Sequence, residues 1–262
     1  MSQVMCIVLF FLSLHTPGQE TRSEISRKLL LDGIDIFESA YNHWDKNEFR
    51  KSLSLFSEAS GKSGRDGLAE YWAGTVYFHL CQLDLFSDEK SVDKKQGVKN
   101  IKQGIDVLTK SIELAPDFGE SYALRSILRG MLIRMEPISA VFQGLKVGKD
   151  RDRALELDSM NPRVHYLIGV NYWHAPEIFG GRDKALEHLL EAEKLFEKEK
   201  SLKDKTLPQW GRSTCLAFIG DVYMHNNKRK EAYAYYNKAL DVNTVDPLAL
   251  RGLKRLKLWI ER

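Results

Sequence analysis

Between residues 161 and 242 the apolar positions fall with the 3.6-residue period of amphipathic helices, and they fall in pairs of blocks. Residues 161–196 predict one helix, an elaborated turn and a second helix. Gly169 stands where the two helices would have to approach closely, and Ala185, Leu189 and Ala192 form a stripe at i, i+4 and i+7. Residues 212–242 repeat the layout, with Gly220 and Tyr223 in the places of Gly169 and Tyr172, and Ala232, Tyr236 and Ala239 in the places of the stripe. A chain that repeats a helical hairpin is expected to stack its units in series, each burying its apolar side against the next.

The same register extends back along the chain. A first unit covers about 33–60, with Ile36 and Ala40 followed by Ser52, Phe56 and Ala59. A second begins near Leu68, with Gly74 and Tyr77, and closes with Gly104, Leu108 and Ser111 after a long insertion. Ala115-Pro116-Asp117 ends it, because proline disfavours helical geometry in the residue before it. A third opens at Phe118-Gly119-Glu120-Ser121-Tyr122 and closes at Ala154-Leu155-Glu156-Leu157-Asp158, around an apolar, irregular centre at 131–148. A charged connector at 197–207 precedes Pro208-Gln209-Trp210-Gly211, which opens the fifth unit. Pro247 starts a last amphipathic helix, with Leu248, Leu250, Leu253, Leu256 and Ile260, suited to cover the apolar end of the stack. The fold class expected is all-α: an α-α superhelix of about five hairpins with a C-terminal capping helix and no single central core.

These residues resemble the tetratricopeptide repeat family over most of the chain after residue 32. Gly169, Tyr172, Ala185 and Ala192, then Gly220, Tyr223, Ala232, Tyr236 and Ala239, carry the resemblance best. A narrower likeness covers Asn161-Pro162-Arg163, Gly169, Pro176 with Phe179-Gly180-Gly181, Ala185-Leu186 and Pro208-Gln209-Trp210-Gly211. That combination is similar to exported bacterial tetratricopeptide proteins, a group that includes the T component of TRAP-type transporters. The resemblance implies a binding or scaffold protein whose inner helices line a groove. It also implies a protein partner from the envelope or a transporter, or a small ligand.

Val4 to Leu14 is an almost unbroken apolar run, closed by His15-Thr16-Pro17-Gly18. Eleven residues are too few to span the ~30 Å hydrocarbon layer as a helix and suit a secretory signal. The division expected is a signal peptide at 1–18, an N-terminal extension at 19–32 and a repeat domain at 33–262, in a periplasmic or secreted protein. No cysteine follows the run in lipobox position, so no lipid anchor is expected. Cys81 and Cys215 lie three units apart in this scheme, beyond disulfide reach, and are expected as free, buried thiols.

The net charge is +3 and the lysine clusters are interleaved with acids, which argues against a nucleic-acid partner. An integral membrane span is not expected, and self-association is left open. Gly-x-Ser-x-Gly, His-Glu-x-x-His and Cys-x-x-Cys are absent, so a non-catalytic protein is expected. The Pro176–Gly181 turn contains neither Gly-x-Gly-x-x-Gly nor Gly-Lys-Ser/Thr, which argues against a phosphate cradle there.

Tyr-x-His occurs as Tyr41-Asn42-His43, Tyr77-Phe78-His79, Tyr172-Trp173-His174 and Tyr223-Met224-His225. Histidine suits the carbonyl end of a helix, which accounts for the pattern in structural terms. In the functional alternative, stacked inner helices form an aromatic-histidine ladder facing the groove. The partner-binding residues expected on that register are Tyr71, Phe78, His79, Arg163, Tyr166, Trp173, His174, Asp221 and His225. No carboxylate or cysteine companion has metal-ligand spacing, so neither a metal nor a cofactor is expected. Two alternatives stand beside the groove: a structural adaptor that assembles an envelope complex through its convex face and insertions, with an exposed apolar patch for instance at 131–148, and an enzyme whose dispersed site leaves no local signature, with converging titratable groups.

Overall fold

The computed structural model describes residues 21–62, 66–86, 93–175 and 181–260. Residues 1–18 and the Pro176–Gly180 part of the elaborated turn lie outside the described residues, as does the side chain of Ile260. Five hairpins follow one another: α1 (Arg22–His43) with α2 (Lys46–Ser60), α3 (Leu68–Phe86) with α4 (Lys94–Leu114), α5 (Gly119–Met135) with α6 (Ala140–Asp158), α7 (Pro162–His174) with α8 (Gly181–Lys198), and α9 (Arg212–His225) with α10 (Arg229–Val242). A final helix, α11 (Pro247–Ile260), packs on α9 and α10. Among the described residues there is no strand, and no helix is long and apolar enough to cross a membrane.

Side chains fix where these helices start. Thr21 and Glu24 form a reciprocal capping box at α1. Asp45, Asp93, Asn161 and Asp246 accept from the first free backbone N–H groups of α2, α4, α7 and α11. Pro162 and Pro247 occupy first-turn positions, where the missing N–H costs nothing. Residues 22–32, read from the sequence as an extension outside the repeat domain, form the first half of α1. Leu30 is buried there, and Ser26 Oγ donates to Ala59 O across the first hairpin.

Glycine lets four of the five hairpins close. A Cβ on Gly169 would lie 2.7 Å from Leu189, and one on Gly220 would lie 2.6 Å from the Tyr236 ring, so only glycine admits these knobs. Phe56 and Leu108 fill the same role against Gly33 and Gly74. The third hairpin is built differently. Ser126 stands in the glycine's place and donates to Val147 O, while Arg151 stands in the knob's place and lies over the Tyr172 ring. Asp150 is buried beside them and takes a two-pronged contact from Arg125 (2.9 and 2.7 Å) and a third from Arg129 (2.6 Å). A polar join of this kind leaves no apolar stripe, so the second helix of this unit has no clear signature in the sequence.

Packing runs mainly between helices that are neighbours in the chain, as a solenoid requires. The absence of a central core, expected from the repeats, does not hold. Residues 199–211 fold against the first helices of the first, second and fourth hairpins, and one continuous apolar cluster extends from Leu30 to Val222. Leu216, Ala217, Tyr236, Ala239, Leu248 and Leu256 form a second cluster beneath the closing helix, which leaves Leu250 exposed. Cys81 and Cys215 are both buried and form no disulfide.

Candidate functional site

Of the nine side chains expected to line one groove, eight divide into two sets and His225 stands apart from both. Tyr71, His79, Arg163 and Tyr166 are buried beneath the 199–211 connector and cannot meet a partner. Trp210 supplies the lid. Its indole N–H donates to Tyr71 Oη at 3.0 Å, and Tyr71 O–H donates to Glu120 at 2.5 Å. Glu120 also accepts from Arg163 Nε (2.8 Å) and Asn161 Nδ2 (2.7 Å). Arg163 then grips Glu199, at the start of the connector, through both terminal nitrogens. The Trp72 indole donates to Thr206 O at 2.9 Å, and Tyr41 Oη lies 2.8 Å from Thr214 Oγ1. Gly211 holds the last bend at φ 106°, a conformation that glycine adopts without strain.

The electrostatics agree with the geometry. Burial raises the Tyr71 phenol well above its ordinary value, and Glu120 beside it raises it further. Burial opposes the charge on Arg163, but Glu120 and Glu199 more than offset that and hold the guanidinium above its usual range. The set is a structural clamp, with each buried charge partnered.

His79 has the least expected environment. It is not at a helix end, because α3 continues to Phe86; His43, His174 and His225 do end their helices. The His79 ring is 1% exposed and ringed by Phe37, Tyr41, Trp44, Phe49, Phe78 and Trp210, with centroids 5.2–6.2 Å away. Neither ring nitrogen has a hydrogen-bond partner. Burial pushes its pKa down to about 3, so it is neutral at pH 7.

The second set opens onto a pocket of about 580 Å³. Phe78, Met131, Val170, Trp173, Phe218 and Leu248 make its apolar wall, contributed by α3, α5, α7, α9 and α11. Lys46, Arg134, His174, Asp221 and Arg251 supply its polar groups. Phe78, Trp173, His174 and Asp221 thus belong together, as the sequence register placed them. His225 is exposed and packs edge-on against Trp173 at 5.4 Å, behind the wall. Arg134 Nη1 donates to His174 Nδ1 at 2.9 Å, which leaves the His174 proton on Nε2.

Sequence reasoning missed the walls that come from the chain ends. Trp44, in the left-handed region at φ 52° after α1, lines the pocket from one side, and Pro247, Leu248 and Arg251 of α11 line it from the other. The helix start at Pro247 was visible in the sequence, but nothing local shows what α11 would face. Among the described residues no group of three or more His, Cys, Asp or Glu side chains is placed to hold a metal.

No family model matches the sequence, and no curated protein matches it. Solved structures do. HusA, a haemophore from Porphyromonas gingivalis, superposes with a TM-score of 0.61 at 18% identity, over 76% of this chain and 92% of its own. TTC0263, a thermophilic TPR protein from Thermus thermophilus, gives 0.61 at 19% identity, over 88% of this chain and 98% of its own. At these identities the likeness establishes the fold.

The buried His79 predicts acid sensitivity. Its pKa is about 3 in the folded chain against 6.5 ordinarily, so between those values the unfolded chain holds a proton that the folded chain refuses. Stability from this group is therefore present above pH 6.5 and is lost as pH falls, by about 2 kcal/mol between pH 7 and pH 5. His79→Leu, similar in volume and without polar atoms, should flatten that part of the urea-midpoint profile and leave pH 7 stability within ~1 kcal/mol of the parent. An unchanged slope would place the acid sensitivity elsewhere.

Helical hairpins stacked in series, each closed by a knob against a small residue or by buried polar contacts, give this chain the fold of a tetratricopeptide-like helical solenoid.

Proposed function

We propose that the protein is a non-catalytic binding module that holds a small amphiphilic ligand, with an apolar body and a polar end, in the pocket between α3, α5, α7, α9 and α11. The observation that carries this is the filled groove. Trp210 and the 199–211 connector occupy the face along which an extended segment would lie, and a compact pocket lies beside them. Its volume is in the ~300–1,000 Å³ range of small-ligand sites, and its wall is mostly aromatic and aliphatic. Lys46 is paired with Asp84 and Asp221 with Arg255, and His174 stands beside Arg134, so the polar side offers hydrogen-bonding groups to the ligand's polar end. A solenoid that holds a small ligand has a parallel in HusA, which is described as a haemophore.

The apolar run at Val4–Leu14 supports a place outside the cytoplasm, in the bacterial envelope. A role as accessory to a TRAP-type transporter rests on the motif resemblance over 161–211 and extends the same reading. N-terminal sequencing of the protein recovered from the envelope should start after residue 18, and an intact Met1 in the cytosolic fraction would refute export.

Anilinonaphthalene sulfonate, an apolar ring system with one anionic group, is a suitable probe of the pocket. Trp173→Ala should weaken its binding by about tenfold, equivalent to ~1.4 kcal/mol, because the half-buried indole forms pocket wall. The thermal midpoint should change little. A loss of stability with unchanged probe affinity would make Trp173 a core residue and refute the pocket.

A further inference from the structure

The first two turns of α6 and the short 3₁₀ turn before it (Pro137–Ser139) present large apolar side chains to solvent. Ile138 is 78% exposed, Val141 75%, Phe142 69% and Leu145 83%. They fall at i, i+3, i+4 and i+7, so they share one face. The residues that attach α6 to the body, Asp150 and Ala154, lie on the opposite side and further along.

We infer that this face docks the protein onto an anionic lipid surface. The charge pattern selects that occupant. Residues 137–149 contain no acid and two lysines, Lys146 and Lys149, both exposed. At 100° per residue, Lys149 falls between Leu145 and Phe142, and Lys146 falls just beyond Phe142, so the lysines stand within the apolar face and at its edge. Docking into a dry protein groove would strip water from both ammonium groups with no acid on this segment to compensate. In a lipid headgroup layer, the stems lie along the apolar boundary while the charges reach phosphates. The nearest acids are already committed: Asp152 to Arg151 and Glu156 to Arg153 further along α6, Glu136 to Lys102, and Asp150 to Arg125 and Arg129. Four side chains are also too few to cover the ~800 Å² per partner of a stable dimer. Because no described helix is long and apolar enough to span the bilayer, the attachment is peripheral. It is independent of what the pocket holds.

Co-sedimentation of the full chain with vesicles of phosphatidylcholine alone, or with phosphatidylglycerol added, tests the inference. The parent should pellet with the anionic vesicles far more than with neutral ones, and salt should weaken the binding. Phe142→Ser with Leu145→Ser should abolish most of it while circular dichroism stays unchanged, since neither side chain packs on the body. Lys146→Gln with Lys149→Gln should remove the anionic preference, by about fivefold per lysine. The N-terminal apolar run is common to every variant, so the differences isolate α6. Equal pelleting of parent and both double variants would overturn the inference. So would concentration-dependent self-association that the serine variant removes, with no vesicle binding by the parent, because a second copy would then cover the face.

Discussion

The architecture depends on one buried polar clamp. Glu120 on α5 accepts from Tyr71 on α3 and from Arg163 on α7, and Arg163 holds Glu199 where the connector leaves α8. Trp210 completes it through Tyr71. A buried guanidinium between two carboxylates is worth little as net stabilisation, since desolvation offsets most of the attraction. Its strength is as a constraint, because removing any partner leaves a charge stranded in an apolar interior. The clamp therefore ties three hairpins and a loop into one arrangement, where repeats alone would allow a range of curvatures.

That constraint explains why a groove-forming fold presents a compact pocket. With the connector seated on α1, α3 and α7, the aromatic face around His79 becomes core, and the flank bounded by Phe78, Trp173 and Phe218 stays open. Trp44 and α11 then approach this flank from the two ends of the solenoid. The pocket is therefore a product of how tightly the superhelix is closed, more than of any one repeat.

The hairpins could be read from the sequence because their signals are local: Gly169 with Leu189, or Gly220 with Tyr236, are pairs set by helical spacing within one unit. The third hairpin was legible only at its ends, since Arg151 interrupts the apolar stripe and Asp150, with Arg125 and Arg129, joins the two helices through polar contacts. The candidate site was half legible. Helical register tells which way Tyr71, His79, Arg163 and Trp173 point, but it carries no information about what covers them. The cover comes from contacts 134 and 139 residues apart in the chain, Trp72 to Thr206 and Tyr71 to Trp210, and no periodicity encodes such distances. The exposed start of α6 was foreseen as an apolar segment, and its helical form follows once Pro137 is seen to begin a turn that runs into α6.

The seating of the connector against α1 is the central claim, and it can be measured directly. Spin labels at the exposed Lys28 and Lys203, beside the Arg27–Asp204 ion pair, report the separation of α1 from the connector in solution. A closed solenoid predicts one short, narrow distance distribution. A broad distribution centred at long separation would mean that the connector is free and the groove open, which contradicts the account.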